Sequence, residues 1–153
     1  MSRDLFGTSK AFIGVVHLLS LPGSPRWGGC MRAVIDRAKE EANILEQGGV
    51  NGIIVENFGD VPFRTGRLDP ETVAGMTLAV ERVKALVNVP VGINMLRNDA
   101  ISALGVAAVT GAKFIRVNVH YGVMAAEEGL IEGEAYQTMR HRKDLGADVK
   151  VLA

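Results

Sequence analysis

Five apolar, strand-like runs alternate with helix-like segments along this chain, and the first four end on polar side chains. The runs are residues 11–17, 52–57, 90–95, 113–119 and 149–153. They close in turn on His17, on Glu56 with Asn57, on Asn94, and on Asn118 with His120, while the fifth reaches Ala153 soon after it starts. A buried strand has no packing reason to carry imidazole, carboxyl or amide groups at its carboxyl end. Strands joined through helices run parallel with right-handed crossovers. In such α/β sheets the carboxyl ends of the strands are where chemistry sits.

The segments between the runs read as helices. Met31, Val34, Ile35, Ala38, Ala42 and Leu45 recur at helical spacing and stop at Gly48-Gly49. Asp69 followed by Pro70 is a helix start, with Val73, Met76, Val80, Val83 and Val87 as its buried stripe. Asn98 or Asp99 caps a shorter helix through Leu104, and residues 120–133 read as a long loop before a helix with a basic last turn. The turn after the first run lacks the G-x-G-x-x-G of a dinucleotide fold. Polar groups ending four separate strands also suit a closed ring better than one crevice. The predicted fold is therefore α/β, with parallel (β/α) units making about the first half of a TIM barrel plus the start of its fifth strand. Residues 1–153 form a single partial (β/α)8-type domain in this reading.

Composition narrows the class. Lys and Arg number 17 and Asp and Glu number 17, so no basic excess marks a nucleic-acid surface. One cysteine excludes an intrachain disulfide framework and fits a reducing cytoplasm. The first residues lack a signal-peptide pattern, and the greasy stretch around residues 11–21 is too short to span a bilayer. A cytoplasmic protein is expected, with peripheral membrane attachment through a partner left open.

Several blocks resemble the BtpA family, which is named for a photosystem I biogenesis protein. They are Phe12-Ile13-Gly14-Val15-Val16-His17-Leu18, Leu21-Pro22-Gly23-Ser24-Pro25, Glu56-Asn57-Phe58-Gly59-Asp60-Val61-Pro62-Phe63, Val91-Gly92-Ile93-Asn94-Met95-Leu96-Arg97-Asn98-Asp99, Phe114-Ile115-Arg116-Val117-Asn118 and Gly129-Leu130-Ile131-Glu132-Gly133. The resemblance implies a TIM-barrel protein, described as a predicted enzyme, whose longer members carry three further βα units. About five strands would leave two unpaired edges and an open apolar interior. A shortened gene product, self-association, or pairing with a chain that carries the remaining units would each account for that.

The candidate catalytic residues are His17, Glu56, Asn94, Asn118 and His120. His17 and His120 fit general acid/base work, or His17 braces the first loop. Glu56 follows four apolar residues, so burial would lift its carboxyl toward the range useful for proton transfer; alternatively it pairs with Arg64 or Arg67 as a structural carboxylate. Asn57, Asn94 and Asn118 could orient substrate oxygens or knit loops together. Asn57, Asp60, Arg64 and Arg67 are the candidate substrate-binding residues, because the 60–67 stretch has the glycines of a lid and two guanidinium groups for an anion. Asp99 reads as a helix cap. His17, Glu56 and His120 have ligand chemistry for a metal but no supporting spacing, and no motif names a cofactor.

Two classes of function compete. One is a metabolic enzyme acting on a small anionic substrate by acid/base chemistry. The other is a non-catalytic assembly or stability factor, with an inactive fragment as a third reading.

Overall fold

The computed structural model describes residues 2–153; Met1, part of the segment read above for a leader, lies outside the described residues. In chain order the elements are α1 (Ser2–Phe6), β1 (Ile13–His17), α2 (Met31–Gln47), β2 (Gly52–Glu56), α3 (Pro70–Leu86), β3 (Val91–Asn94), α4 (Ala100–Thr110), β4 (Phe114–Arg116), β5 (Val123–Ala126), β6 (Gly129–Glu132), α5 (Ala135–Asp144) and β7 (Lys150–Leu152). One 3-10 turn, Phe58–Asp60, follows β2.

β1, β2, β3, β4 and β7 make one parallel sheet in that spatial order. Strands that neighbour each other strictly in chain order leave no point where the winding reverses, so the sheet is an arc of a barrel and not a doubly wound sheet. Right-handed crossovers then put α2, α3, α4 and α5 on one side. The core lies there: Val16, Ile53, Val55, Ile93 and Ile115 from the strands meet Val34, Ala38, Met76, Val80 and Leu104 from the helices. These helical residues recur every three or four positions, which aligns them on one face. Asp99 caps α4, its carboxylate accepting from the Ser102 amide at 3.0 Å and the Ser102 hydroxyl at 2.6 Å.

The opposite, inner face is filled at its amino-terminal end by an aromatic pair. Phe6 of α1 packs edge-on against Phe114 of β4, with centroids 5.3 Å apart. Two glycines make room for it. A Cβ at Gly92 would lie 2.2 Å from the Phe114 ring, and one at Gly52 would lie 2.7 Å from Phe6. The carboxyl-terminal end of the same face is left to polar side chains.

Three features differ from the sequence expectation. The first run predicts a strand buried on both faces, yet in β1 Val15 is 36% exposed and His17 is also exposed, because β1 is an edge strand of the sheet with helices on one side only. The fourth strand ends at Arg116, three residues before Val119. Residues 120–133 are not a plain loop but contain the antiparallel β5–β6 hairpin. No helix among the described residues is long and apolar enough to cross a membrane.

Candidate functional site

Register places the polar strand ends side by side. His17 pairs with Glu56 across β1 and β2, and Glu56 pairs with Asn94 across β2 and β3. In-register residues of a parallel sheet share a face, so these side chains form a row along one rim. Glu56 is its centre and is only 5% exposed. The Asn94 Nδ2 donates to its Oε2 at 2.5 Å, and the Arg116 Nη1 donates to the same oxygen at 3.4 Å. The other oxygen, Oε1, faces the His17 Nε2 at 3.5 Å, an ion-pair separation and not a hydrogen bond.

Burial divides the labour. The side chains of His17 and Arg116 are about half exposed, at 51% and 47%, whereas Glu56 is enclosed by them and by Asn94. One side of the His17 ring is covered by Phe58, stacked at 4.4 Å with 22° between the planes. Phe58 in turn meets Phe63 edge-on at 6.2 Å, and Arg97 lies over Phe63 at 5.4 Å from the ring centroid. A continuous wall therefore runs from the imidazole to the guanidinium of Arg97.

The second carboxyl-end residue of β2 faces a different way. Fully buried Asn57 accepts from the Leu96 amide at 2.7 Å and donates to the Leu96 carbonyl at 3.3 Å and to Asp60 at 2.9 Å. It thus ties the turn after β2 to the turn after β3. Asp60, 7% exposed, also accepts from the Leu21 amide at 2.7 Å. Burial pushes its carboxyl above the ordinary 3.8, while those hydrogen bonds pull it back. Asp60 and Arg64 border a cleft of about 250 Å³ with Ser24, Phe63, Asp69 and Leu96, and His17, Glu56 and Asn94 are not among its walls.

The loop arginines are engaged by carboxylates of the fold. Arg64 binds Asp69 at 2.9 Å, and Arg67 bridges Asp99 at 3.2 Å and Glu134 at 2.8 Å. Asn118 and His120 follow β4 outside the hydrogen bonds of the row, half-buried, with the Asn118 Oδ1 and His120 Nδ1 enclosed without partners. The intervening Val119 is held through both its amide and its carbonyl by Asn98, at 2.9 Å each. Among the described residues no three His, Cys, Asp or Glu side chains gather as a metal site requires, so His120 does not complete a ligand set with His17 and Glu56. Arg116 was not among the residues picked from sequence. Its signal was period-2 alternation, since Phe114 and Arg116 face the same side of β4.

A parallel barrel arc whose polar rim lies at the strand carboxyl ends defines the TIM-barrel class. Two solved structures share this fold: one assigned as a dehydratase, from Zymomonas mobilis (TM-score 0.55, 16% identity, 97% of this chain and 38% of that one), and 7,8-dihydropteroate synthase from Vibrio fischeri (TM-score 0.51, 13% identity, 94% and 62%). Residues 8–153 match the BtpA family, and the chain belongs to that family. It is 60% identical to the photosystem I biogenesis protein BtpA of Synechocystis over 148 residues, which are 97% of this chain and 52% of that protein. An uncharacterised protein of Pyrococcus furiosus is 46% identical over 151 residues, 99% of this chain and 57% of that protein. The chain spans a little over half the length of these relatives.

Proposed function

We propose that this chain carries the acid/base half of a BtpA-family enzyme acting on a small anionic molecule in the cytoplasm. The observation behind this reading is the buried Glu56 carboxylate, held by Asn94 and Arg116 on one oxygen and facing His17 on the other. Glu56 orients the imidazole from behind, and the exposed imidazole exchanges a proton with substrate. Arg116, half exposed beside it, supplies positive charge to an anionic group. Proton abstraction beside a carbonyl, as in isomerisation or aldol-type cleavage, fits this set of groups. The test takes the full-length Synechocystis relative, incubates it with phosphorylated and carboxylated metabolites, and reads products by mass spectrometry. Glutamine in place of the residue that aligns with Glu56 should lower turnover by about 10²-fold or more. Undiminished turnover in that variant overturns the assignment.

A second reading rests on the 60% identity to a photosystem I biogenesis protein. There the chain would serve as an assembly factor, and exposed Tyr121, Val123, Leu130 and Tyr136 would offer a contact surface. That reading expects a co-purifying partner that survives substitution of His17 and Glu56. We also propose that the inner sheet face, where Val15 is exposed, is covered by further barrel strands from a second copy or a complementing chain. Mass in solution separates these from a monomer.

A further inference from the structure

We propose that Arg97 is an oxyanion site that Glu128 occupies from within the chain until a phosphate or carboxylate ligand displaces it. This deepens the acid/base reading above and rests on it, since Arg97 closes the aromatic wall that begins at His17.

Glu128 lies in the two-residue turn between β5 and β6, at the tip of the hairpin. Such tips are ordinarily solvated, and a charged side chain there has water within reach. Yet the Glu128 side chain is only 3% exposed, turned toward the Arg97 Nε at 3.5 Å. Both of its carboxylate oxygens are buried without a hydrogen-bond partner, and so is the Arg97 Nε. An enclosed ion pair offsets its desolvation only when the geometry is close and the remaining hydrogen-bonding positions are filled. This pair meets neither condition. It brings a carboxylate to a guanidinium without completing the contact.

Arg97 is better prepared than its present partner. Its guanidinium rests on the Phe63 ring, and its turn is fixed by the two bonds between Asn57 and Leu96. A fork-shaped donor held in place binds a phosphate or carboxylate through two parallel hydrogen bonds, better than through one long contact. The hairpin, in contrast, is lightly held toward its tip: a two-stranded hairpin is marginal by itself, Val123 and Leu130 are 61% and 66% exposed, and Ile131 of β6 is buried. It is tethered at its base, where the Gly133 amide donates to the Gly122 carbonyl at 2.8 Å and Asn98 reaches the Glu132 carbonyl at 3.5 Å. Displacing Glu128 would thus return a carboxylate to water and free the guanidinium, with the base of the hairpin unmoved.

The test is calorimetric titration of the chain with inorganic phosphate and, separately, with malonate. Glu128→Gln removes the internal occupant while keeping the side chain's shape, and should bind at least one of the two probes roughly tenfold more tightly than the unaltered chain. The probe that tightens more tells a phosphate ester from a carboxylate. Arg97→Gln should abolish the gain. Amide hydrogen exchange in residues 123–132 should accelerate in Glu128→Gln and when the tighter probe is added. Unchanged affinity for both probes in Glu128→Gln, or full affinity in a folded Arg97→Gln chain, overturns the proposal. Should Arg97→Gln fail to fold, the Glu128→Gln titration decides by itself. No step reads turnover, so a failure here is distinct from a failure of the Glu56 assignment.

Discussion

Asn94 and Glu56 are register partners on neighbouring parallel strands, and the Asn94 amide donates to the Glu56 Oε2 at 2.5 Å inside the protein. A buried carboxylate that loses a donor keeps its desolvation and gives up the offset, so Asn94→Ala should lower stability by about 1–3 kcal/mol. Asn94→Asp is the sharper test because it sets two carboxyl groups together. Like charges in one site disfavour joint ionisation. Asn94→Asp should therefore be less stable than Asn94→Ala at neutral pH, with the gap closing as acid protonates the pair. Urea unfolding midpoints for both variants across pH check this, and a gap independent of pH would contradict it.

Asn57 shows how a residue at a strand end can serve as a tie. It satisfies both backbone groups of Leu96 and one oxygen of Asp60 from a fully buried position. Asn57→Ala takes this partner from both backbone groups of Leu96 and from one Asp60 oxygen, at about 1–3 kcal/mol for each group left unpaired. It should be more damaging than Asn94→Ala, and the same urea series ranks the two. Equal midpoints would mean that water replaces the lost amide.

The inner face yields a prediction about size. Gly92 faces Phe114 so closely that a methyl group would have to displace the ring, and Phe114 is fully buried with little room to yield. Gly92→Ala should cost about 1–3 kcal/mol through overpacking. Phe114→Leu in the same chain should recover part of that loss, the non-additivity expected of residues in contact. Gly52→Ala should be milder, since its nearest contact is the edge of the Phe6 ring at 2.7 Å, with the Pro90 carbonyl at 3.3 Å. Thermal unfolding of the three variants tests the order.

The alternation of apolar runs and amphipathic segments carried most of the architecture, because buried parallel strands and one-faced helices each leave a periodic trace. The polar strand ends were legible for the same reason: Glu56 and Asn94 interrupt runs that burial would otherwise keep apolar. What stayed hidden depends on register or on short elements. Arg116 lies inside a run read as continuing to Val119; period 2 puts it on the Phe114 side of β4, but it takes the pairing of β3 with β4 to bring it to Glu56. α1 is too short to have a helical period, and the hairpin strands are largely exposed on both faces, so neither leaves a pattern. Pairings such as Arg67 with Asp99 and Glu134 join residues far apart in sequence, and no spacing rule reaches them.

Asp60 supplies a pH dependence with a definite sign. Burial raises its carboxyl above 3.8, so the folded chain holds that proton more tightly than the unfolded one. The stability this adds is complete below 3.8 and is lost as pH climbs through the raised folded value. Above that window the charged carboxylate is buried against its own desolvation, relieved in part by the Leu21 amide and Asn57. Asp60→Asn cannot ionise, and its Oδ1 can still accept from Leu21. Denaturant midpoints measured from about pH 3 to about pH 8 should fall more steeply with rising pH for the unaltered chain than for Asp60→Asn. The difference curve isolates this carboxyl from the other acidic groups, which both chains share. Parallel curves would show that Asp60 titrates alike in the folded and unfolded states, and that its burial under the Leu21 loop imposes no penalty on the charge.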